Sequence, residues 1–343
     1  MLRQINSDGS NMTLNTSFQA LAVETGDNPR PLNSVSREIV KLEDRQVLIQ
    51  INYSSLNYKD ALAATGHPGV ALSSPLVPGI DAVGSVVDSN SPEFSAGDNV
   101  IVAHEDFGTR QDGGWAEYAG VPESWLVKLP ESMSAKQAMV LGTAGFTAAQ
   151  SVEALLNHQI EPDSGPIVVT GATGGVGIVS LCLLSKLGYE VIAVSGKQEH
   201  SATLEKLGAS QVLSREQMVD DSKSPLLKGM CAGAVDSVGG QMLTTILRST
   251  RRGGCVTACG LVGGANIAMT VYPFILRGVT LQGIDSAGVS QPVRQRIWNK
   301  LAGEWQLDLA EISSVIPFDE VGQAVQTILQ GKIFGRTVIQ VKA

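Results

Sequence analysis

Apolar positions along this chain recur in two rhythms. From Phe18 to about Lys128 they come in short runs, FQALAVE, QVLIQINYSSLN, VPGIDAVGSVVD and NVIVAH, separated by Pro, Gly, Asn and Asp. Short runs bounded by turn formers predict strands, so this half reads as a β-rich, barrel-like domain. One helix is predicted within it, starting at Asn57, because Asn is a favoured N-cap and Asp60 stands three residues on. Near Ala135 the rhythm changes. Helical spacing over Lys136–Leu141 and Thr147–Leu156 leads to strand Ile167–Thr170, helix Val176–Leu187, strand Val191–Val194 and helix Ala202–Leu207. Further strands are predicted at Gln211–Leu213, Gly233–Asp236, Cys255–Ala258 and Thr280–Gly283. Helices alternating with short buried strands imply a parallel sheet covered on both faces, an α/β fold class. Helix Val321–Gln330 and strand Arg336–Val341 end the pattern, and that strand has no partner in the parallel sheet; a return to the first domain would supply one. Residues 1–17 are polar and read as a flexible tail.

The strongest motif is Ile167-Val-Val-Thr-Gly-Ala-Thr-Gly-Gly-Val-Gly177. It joins a buried strand to a helix within one βαβ unit, the setting in which a glycine loop binds a dinucleotide. Ala172 stands where the usual form has its first glycine. Gly174 would let backbone N–H groups approach a pyrophosphate at the helix N-terminus, and Gly177 would let helix and strand pack closely. A site that prefers NAD usually has Asp or Glu at the end of the second strand to hold the ribose 2′-hydroxyl. Here strand Val191–Val194 runs into Ser195-Gly196-Lys197. No carboxylate is present to repel a 2′-phosphate, and a hydroxyl with an ammonium would bind one. NADPH is the expected cofactor.

Charge narrows the choice of partner. Lys and Arg total 25 against 33 Asp and Glu, a net charge of −8, which argues against nucleic acid because phosphate-backbone binding needs a basic footprint. No apolar run approaches the ~18 residues of a membrane span, so no membrane partner is expected. The 4 cysteines, among them Cys182, Cys255 and Cys259, make no disulfide framework in a chain of 343 residues. Buried thiols in a reducing cytoplasm are the expectation.

The layout of a β-rich domain followed by a nucleotide domain resembles the zinc alcohol dehydrogenases. Their zinc needs Cys, His and a further Cys or carboxylate converging on one point. Here the corresponding turn reads Ser55-Leu56-Asn57-Tyr58-Lys59-Asp60, and Gly79-Ile80-Asp81 replaces Gly-His-Glu. No cysteine precedes Ala135, and His67 and His104 alone make no site. No metal is expected. Without a Lewis acid alcohol oxidation is difficult, whereas hydride addition to an activated alkene or quinone needs only orientation and hydrogen-bond donors.

Taken together, SSLNYKDALAATG, VPGID, GTAGFTA, VVTGATGGVG, AVSGK, GAVDSVG, GGCVTACGLVGG, PFILRGVTLQGIDS and GRTVIQV resemble the acryloyl-CoA reductase (NADPH) family. This is a zinc-free, quinone oxidoreductase-like branch of the medium-chain dehydrogenase/reductase superfamily, and the resemblance runs from about Phe18 to the C-terminus. It implies a GroES-like catalytic domain over 18–142 and 297–343, a Rossmann domain over 143–296, and a homodimer. It also implies reduction of acryloyl-CoA, a CoA thioester, to propanoyl-CoA. Carried over position by position, the cofactor residues are Tyr58, Thr173, Gly174, Gly175, Val176, Ser195, Gly196, Lys197, Gln211, Leu261, Ile275, Ser286 and Gly331. At Gln211 the family has a basic residue in some members, and nearby Arg215 is a substitute. At Gly331 only backbone contact is open.

Tyr58 is the leading candidate for the substrate side, with Asn57 and Asp60 beside it as a cap pair that positions it. Hydride would reach the β-carbon of an α,β-unsaturated thioester, the carbonyl would gather enolate charge, and water or Tyr58 would protonate the α-carbon. A phenol is protonated at neutral pH and able to donate. Two readings of Lys59 stand, a solvated face or a CoA phosphate contact. Thr143 and Thr147 either cap a helix or touch cofactor phosphates, and Arg277 and Arg251-Arg252 are candidate CoA contacts. The rivals are an NADPH-dependent quinone or enone reductase and a non-catalytic NADPH-binding redox sensor.

Overall fold

The computed structural model describes residues 3–5, 11–13, 17–25, 30–104 and 106–342. Two compact units emerge: 1–143 with 287–302 and 309–343, and 144–286 with 303–308. Of the tail, Arg3–Ile5 and Asn11–Thr13 pair antiparallel, and the rest up to residue 16 lies outside the described residues. Ser17 already belongs to strand Ser17–Glu24, which forms a hairpin with Arg30–Glu38.

The first unit is built on a sheet running Ser313–Pro317, Arg336–Gln340, Gln46–Leu56, Asp81–Ser89, Asn99–Ala103 and Leu126–Lys128, with Tyr118–Pro122 also pairing the long strand Gln46–Leu56. Alternation drives this. Val47, Ile49 and Ile51 face inward together and pack with Val86, Val100, Val102 and Leu126. The C-terminal strand finds its partner here, with Thr337 opposite Leu56 and Gln340 opposite Tyr53. The return to this unit begins at Ala287, ten residues before the sequence reading places it. Its cause is the helix Gln291–Ala302, which the sequence reading does not contain. Gln291 Nε2 donates to the carbonyls of Ser124 and Leu126, and Arg294 donates to Ala103 O, all in the first unit.

The second unit holds a parallel sheet in the order Ala209–Leu213, Val191–Val194, Ile167–Thr170, Cys231–Asp236, Thr250–Ala258 and Thr280–Gly283. The order reverses between Ile167–Thr170 and Cys231–Asp236, and ligands in such sheets bind outside the carboxyl ends of the strands at that reversal. Helices Gly175–Lys186, Ser201–Lys206 and Gly240–Ser249 return the chain between strands. Helix Ala135–Asn157 combines the two predicted helical stretches, with a break at Gly142, whose φ of 50° lies outside helical geometry. By length and composition alone this helix is apolar enough to cross a membrane, contrary to the sequence reading, but 78% of its most apolar window is buried inside the fold, as in a core helix.

Candidate active site

Two sets of candidate residues form, one in each unit. In the second unit the chain leaves strand Ile167–Thr170 through Gly171 at φ 57°, a left-handed turn that glycine takes without a Cβ penalty. Gly174 N donates to Gly171 O at 2.8 Å and caps helix Gly175–Lys186. A Cβ on Gly177 would stand 2.3 Å from Gly171 O, so only glycine permits this approach of helix and turn. Asp236 braces the loop from the next strand: its carboxylate accepts from Thr170 Oγ1 at 2.7 Å and from Gly239 N at 2.7 Å. Burial pushes the Asp236 carboxyl up from its ordinary value. The unpaired N–H groups at the start of the helix make a cradle suited to a pyrophosphate.

At the end of strand Val191–Val194, Ser195 is buried, and its Oγ lies 3.1 Å from Thr173 Oγ1 and accepts from Lys197 N at 3.0 Å. Its hydroxyl therefore ties the two loops together. Gly196 is exposed, and a Cβ there would meet Arg215 Nε at 2.8 Å, so the guanidinium lies along this turn. Burial, with Arg215 adding to it, lowers the Lys197 ammonium pKa from its ordinary value. Gln211 sits within strand Ala209–Leu213, opposite Ile192. Lys197 and Arg215 supply positive charge beside this turn, whereas position 211 offers a neutral amide.

A cavity of about 560 Å³ opens beyond the carboxyl ends of Thr250–Ala258 and Thr280–Gly283, lined by Gly239, Cys259, Leu261 and Asp285 among others. Leu261 and Ile275 are 66% and 67% exposed, free to meet a ligand, and Ser286 is half-buried. Gly331, at φ 69°, closes helix Val321–Leu329 in the first unit by donating to Ile328 O.

The first unit holds Tyr58 at the start of helix Tyr58–Ala64, with 44% of its surface exposed. Beneath it lies a buried polar network. Asp60 accepts from Asn57 N at 2.8 Å, from Asn57 Nδ2 at 3.0 Å and from Ile80 N at 2.7 Å. Asp81 accepts from Ser55 Oγ at 2.5 Å, Asn57 Nδ2 at 2.8 Å, Thr143 Oγ1 at 2.5 Å and Thr143 N at 2.9 Å. Arg336, from the C-terminal strand, donates to Asn57 Oδ1 at 3.0 Å and to Val140 O at 2.7 Å. Burial and the neighbouring Asp81 carboxylate push the Asp60 carboxyl up to about 7. Asn57 and Asp60 thus direct their polar atoms into this buried network.

This donor set does not suit zinc. A guanidinium occupies the side of Asn57 away from the carboxylates, Ile80 replaces an imidazole, and among the described residues no three His, Cys, Asp or Glu side chains converge. Arg277 donates to the carbonyls of Arg248, Thr250 and Leu227, and the exposed Arg251 to Ser164 O, so both staple loops. Thr143 donates to Asp81 just past the helix break at Gly142, and Thr147 is buried. Arg252 and Lys59 are exposed. Sequence reasoning missed Asp81 as a hub and Arg336 altogether; the only available signal was Asp81 itself, standing where a zinc enzyme has a carboxylate.

The alcohol dehydrogenase GroES-like domain family matches residues 43–131, and the zinc-binding dehydrogenase family matches residues 175–302. YhfP of Bacillus subtilis (strain 168), which bears a quinone oxidoreductase name, is 43% identical over 95% of this chain and 100% of its own. Its solved structure, with NAD bound, superposes with a TM-score of 0.91 over 95% of this chain and 100% of that one. Acrylyl-CoA reductase AcuI of Ruegeria pomeroyi is 39% identical over 95% of this chain and 100% of its own. The solved structure of Escherichia coli K-12 YhdH with bound NADPH is 40% identical, with a TM-score of 0.88, over 94% of this chain and 100% of that one. With a GroES-like unit, a Rossmann-like unit and these full-length likenesses, the chain belongs to the acrylyl-CoA reductase and quinone oxidoreductase-like family of oxidoreductases within the medium-chain dehydrogenase/reductase superfamily.

Proposed function

We propose that this protein is an NADPH-dependent reductase of activated C=C bonds, converting acryloyl-CoA to propanoyl-CoA without a metal. The observation that carries the reading is the second nucleotide loop, where Lys197 and Arg215 stand and Ser195, Gly196 and Lys197, with no carboxylate among them, directly follow strand Val191–Val194. That favours a 2′-phosphorylated dinucleotide, in line with YhdH and its NADPH, although YhfP was solved with NAD. The loop Thr173–Val176 would hold the pyrophosphate; Gly196, Lys197 and Arg215 the 2′-phosphate; and Leu261, Ile275 and Ser286 further parts of the cofactor, with Gly331 a backbone contact. Bound NADPH supplies the hydride. The chain's own contribution is the Tyr58 hydroxyl, which would donate a hydrogen bond to the thioester carbonyl as that oxygen gathers negative charge, then pass its proton to the α-carbon and regain one from solvent water.

The quinone oxidoreductase name of YhfP supports a second reading, reduction of a quinone or enone on the same scaffold. One steady-state panel separates them: NADPH and NADH, each with acryloyl-CoA, crotonyl-CoA and benzoquinone, for wild type and Tyr58→Phe. The expected result is highest kcat/KM with NADPH and acryloyl-CoA, and roughly tenfold or greater loss of kcat in Tyr58→Phe with NADPH binding kept. A KM for NADH at or below that for NADPH, or preference for benzoquinone, would overturn it. NADPH binding with no turnover on any acceptor would make the protein a redox sensor.

The working form in this reading is a cytoplasmic homodimer. Four free cysteines support a reducing compartment. Among the described residues strand Thr280–Gly283 ends its sheet, and Val262, Val271, Tyr272 and Leu276, earlier in the sequence, are each at least 44% exposed. A sheet edge and exposed apolar side chains suit a second copy pairing about a twofold axis.

A further inference from the structure

We infer that Arg336 is a positioning residue for Tyr58, acting through Asn57 from the far end of the sequence. The inference deepens the reading above, since it takes Tyr58 to be the donor to the substrate. Three observations support it. First, the antiparallel register sets Thr337 opposite Leu56, which brings Arg336 opposite Asn57, just past the end of the long strand. There the guanidinium is 2% exposed and donates to Asn57 Oδ1 at 3.0 Å and to Leu56 O at 3.4 Å. Both acceptors immediately precede Tyr58.

Second, the Asn57 amide lies between opposite charges. Its oxygen faces the cation, and its NH₂ faces Asp60 and Asp81 at 3.0 and 2.8 Å. Turning the amide over would set NH₂ against the guanidinium and oxygen against two carboxylates, so electrostatics permits one orientation. Asn57 is the N-cap by backbone position, and its own N–H donates to Asp60 at 2.8 Å, so the contacts that hold its amide also hold the residue from which Tyr58 departs.

Third, the enclosure is tight and polar. Among the described residues Arg336 Nη2 is buried without a hydrogen-bond partner, and a Cβ on Gly142 would stand 3.0 Å from it and 2.5 Å from Asp81 Oδ2. A cation left partly unsatisfied in a buried site costs stability. Simple neutralisation of two carboxylates would require only a positive charge, whereas the contacts made here use the fork of the guanidinium on three different oxygens.

The test is a double-mutant cycle. Arg336→Lys keeps the charge and loses the fork, and Asn57→Ala removes the bridge; each is made alone and together with Tyr58→Phe. Melting temperature, kcat with acryloyl-CoA and NADPH affinity are measured for every variant. The expected result is a roughly tenfold fall in kcat for Arg336→Lys and for Asn57→Ala with NADPH affinity unchanged, and less than about twofold further loss when either is added to Tyr58→Phe. If Arg336→Lys does not fold, Asn57→Ala carries the cycle. Wild-type kcat in Arg336→Lys, or losses that multiply with that of Tyr58→Phe, would overturn the positioning role. Wild-type kcat in Tyr58→Phe alone would remove the Tyr58 reading itself, a result that the single variant reports separately.

Discussion

Asp60 illustrates how one residue serves the fold and leaves a trace in solution. Its carboxyl ordinarily titrates near 3.8, and burial with Asp81 close by moves it to about 7 in the folded chain. A raised folded value means that between those two points the native state holds a proton that the unfolded state has lost. This stabilisation is complete below about pH 4 and disappears as pH rises through 7. Urea unfolding from pH 5 to 8 should therefore show wild type losing stability relative to Asp60→Asn, on the order of 2–4 kcal/mol over the interval. A difference that stays flat with pH would mean the carboxyl titrates elsewhere. From the sequence alone, the Asn57–Asp60 spacing revealed a helix cap. That the same pair would lie above a second carboxylate and below an arginine 279 positions away was not visible, because only the strand register brings Arg336 there.

Among elements, the strand–glycine loop–helix unit was the most legible, since short runs of buried residues and an ordered set of glycines leave few alternatives. Val191–Val194 and Thr280–Gly283 are strands over the predicted residues. Helix Gly240–Ser249 escaped although Met242, Leu243, Ile246 and Leu247 line one apolar face, because the run is short and ends in polar Arg248 and Ser249. Gly177 is where local geometry decides the element: its substitution must displace Gly171 or Ala172 backbone atoms that would lie 2.3–2.9 Å from a Cβ. Gly177→Ala should cost roughly 1–3 kcal/mol of stability in a denaturant titration. It should also weaken NADPH binding about tenfold in a fluorescence titration, because the phosphate loop moves with the helix N-terminus. Native affinity would show that the cofactor does not depend on this turn.

For the whole molecule, the proposed homodimer predicts a particle of twice the chain's mass in sedimentation equilibrium, and Val271→Asp with Leu276→Asp should shift it to the monomer. A wild-type monomer at micromolar concentration would end that proposal. By itself the sequence determined the α/β class, the glycine cradle, the absence of a carboxylate beside Ser195 and the lack of zinc ligands near Asn57, because each depends on residues close together in the chain. The tertiary structure alone decided which cations were available. It brought Arg215 against Gly196, drew Arg277 and Arg251 onto loop carbonyls, and carried Arg336 back to Asn57. A long cationic side chain reaches whatever acceptor the packing brings near, and packing between distant segments leaves no periodic mark in the order of residues.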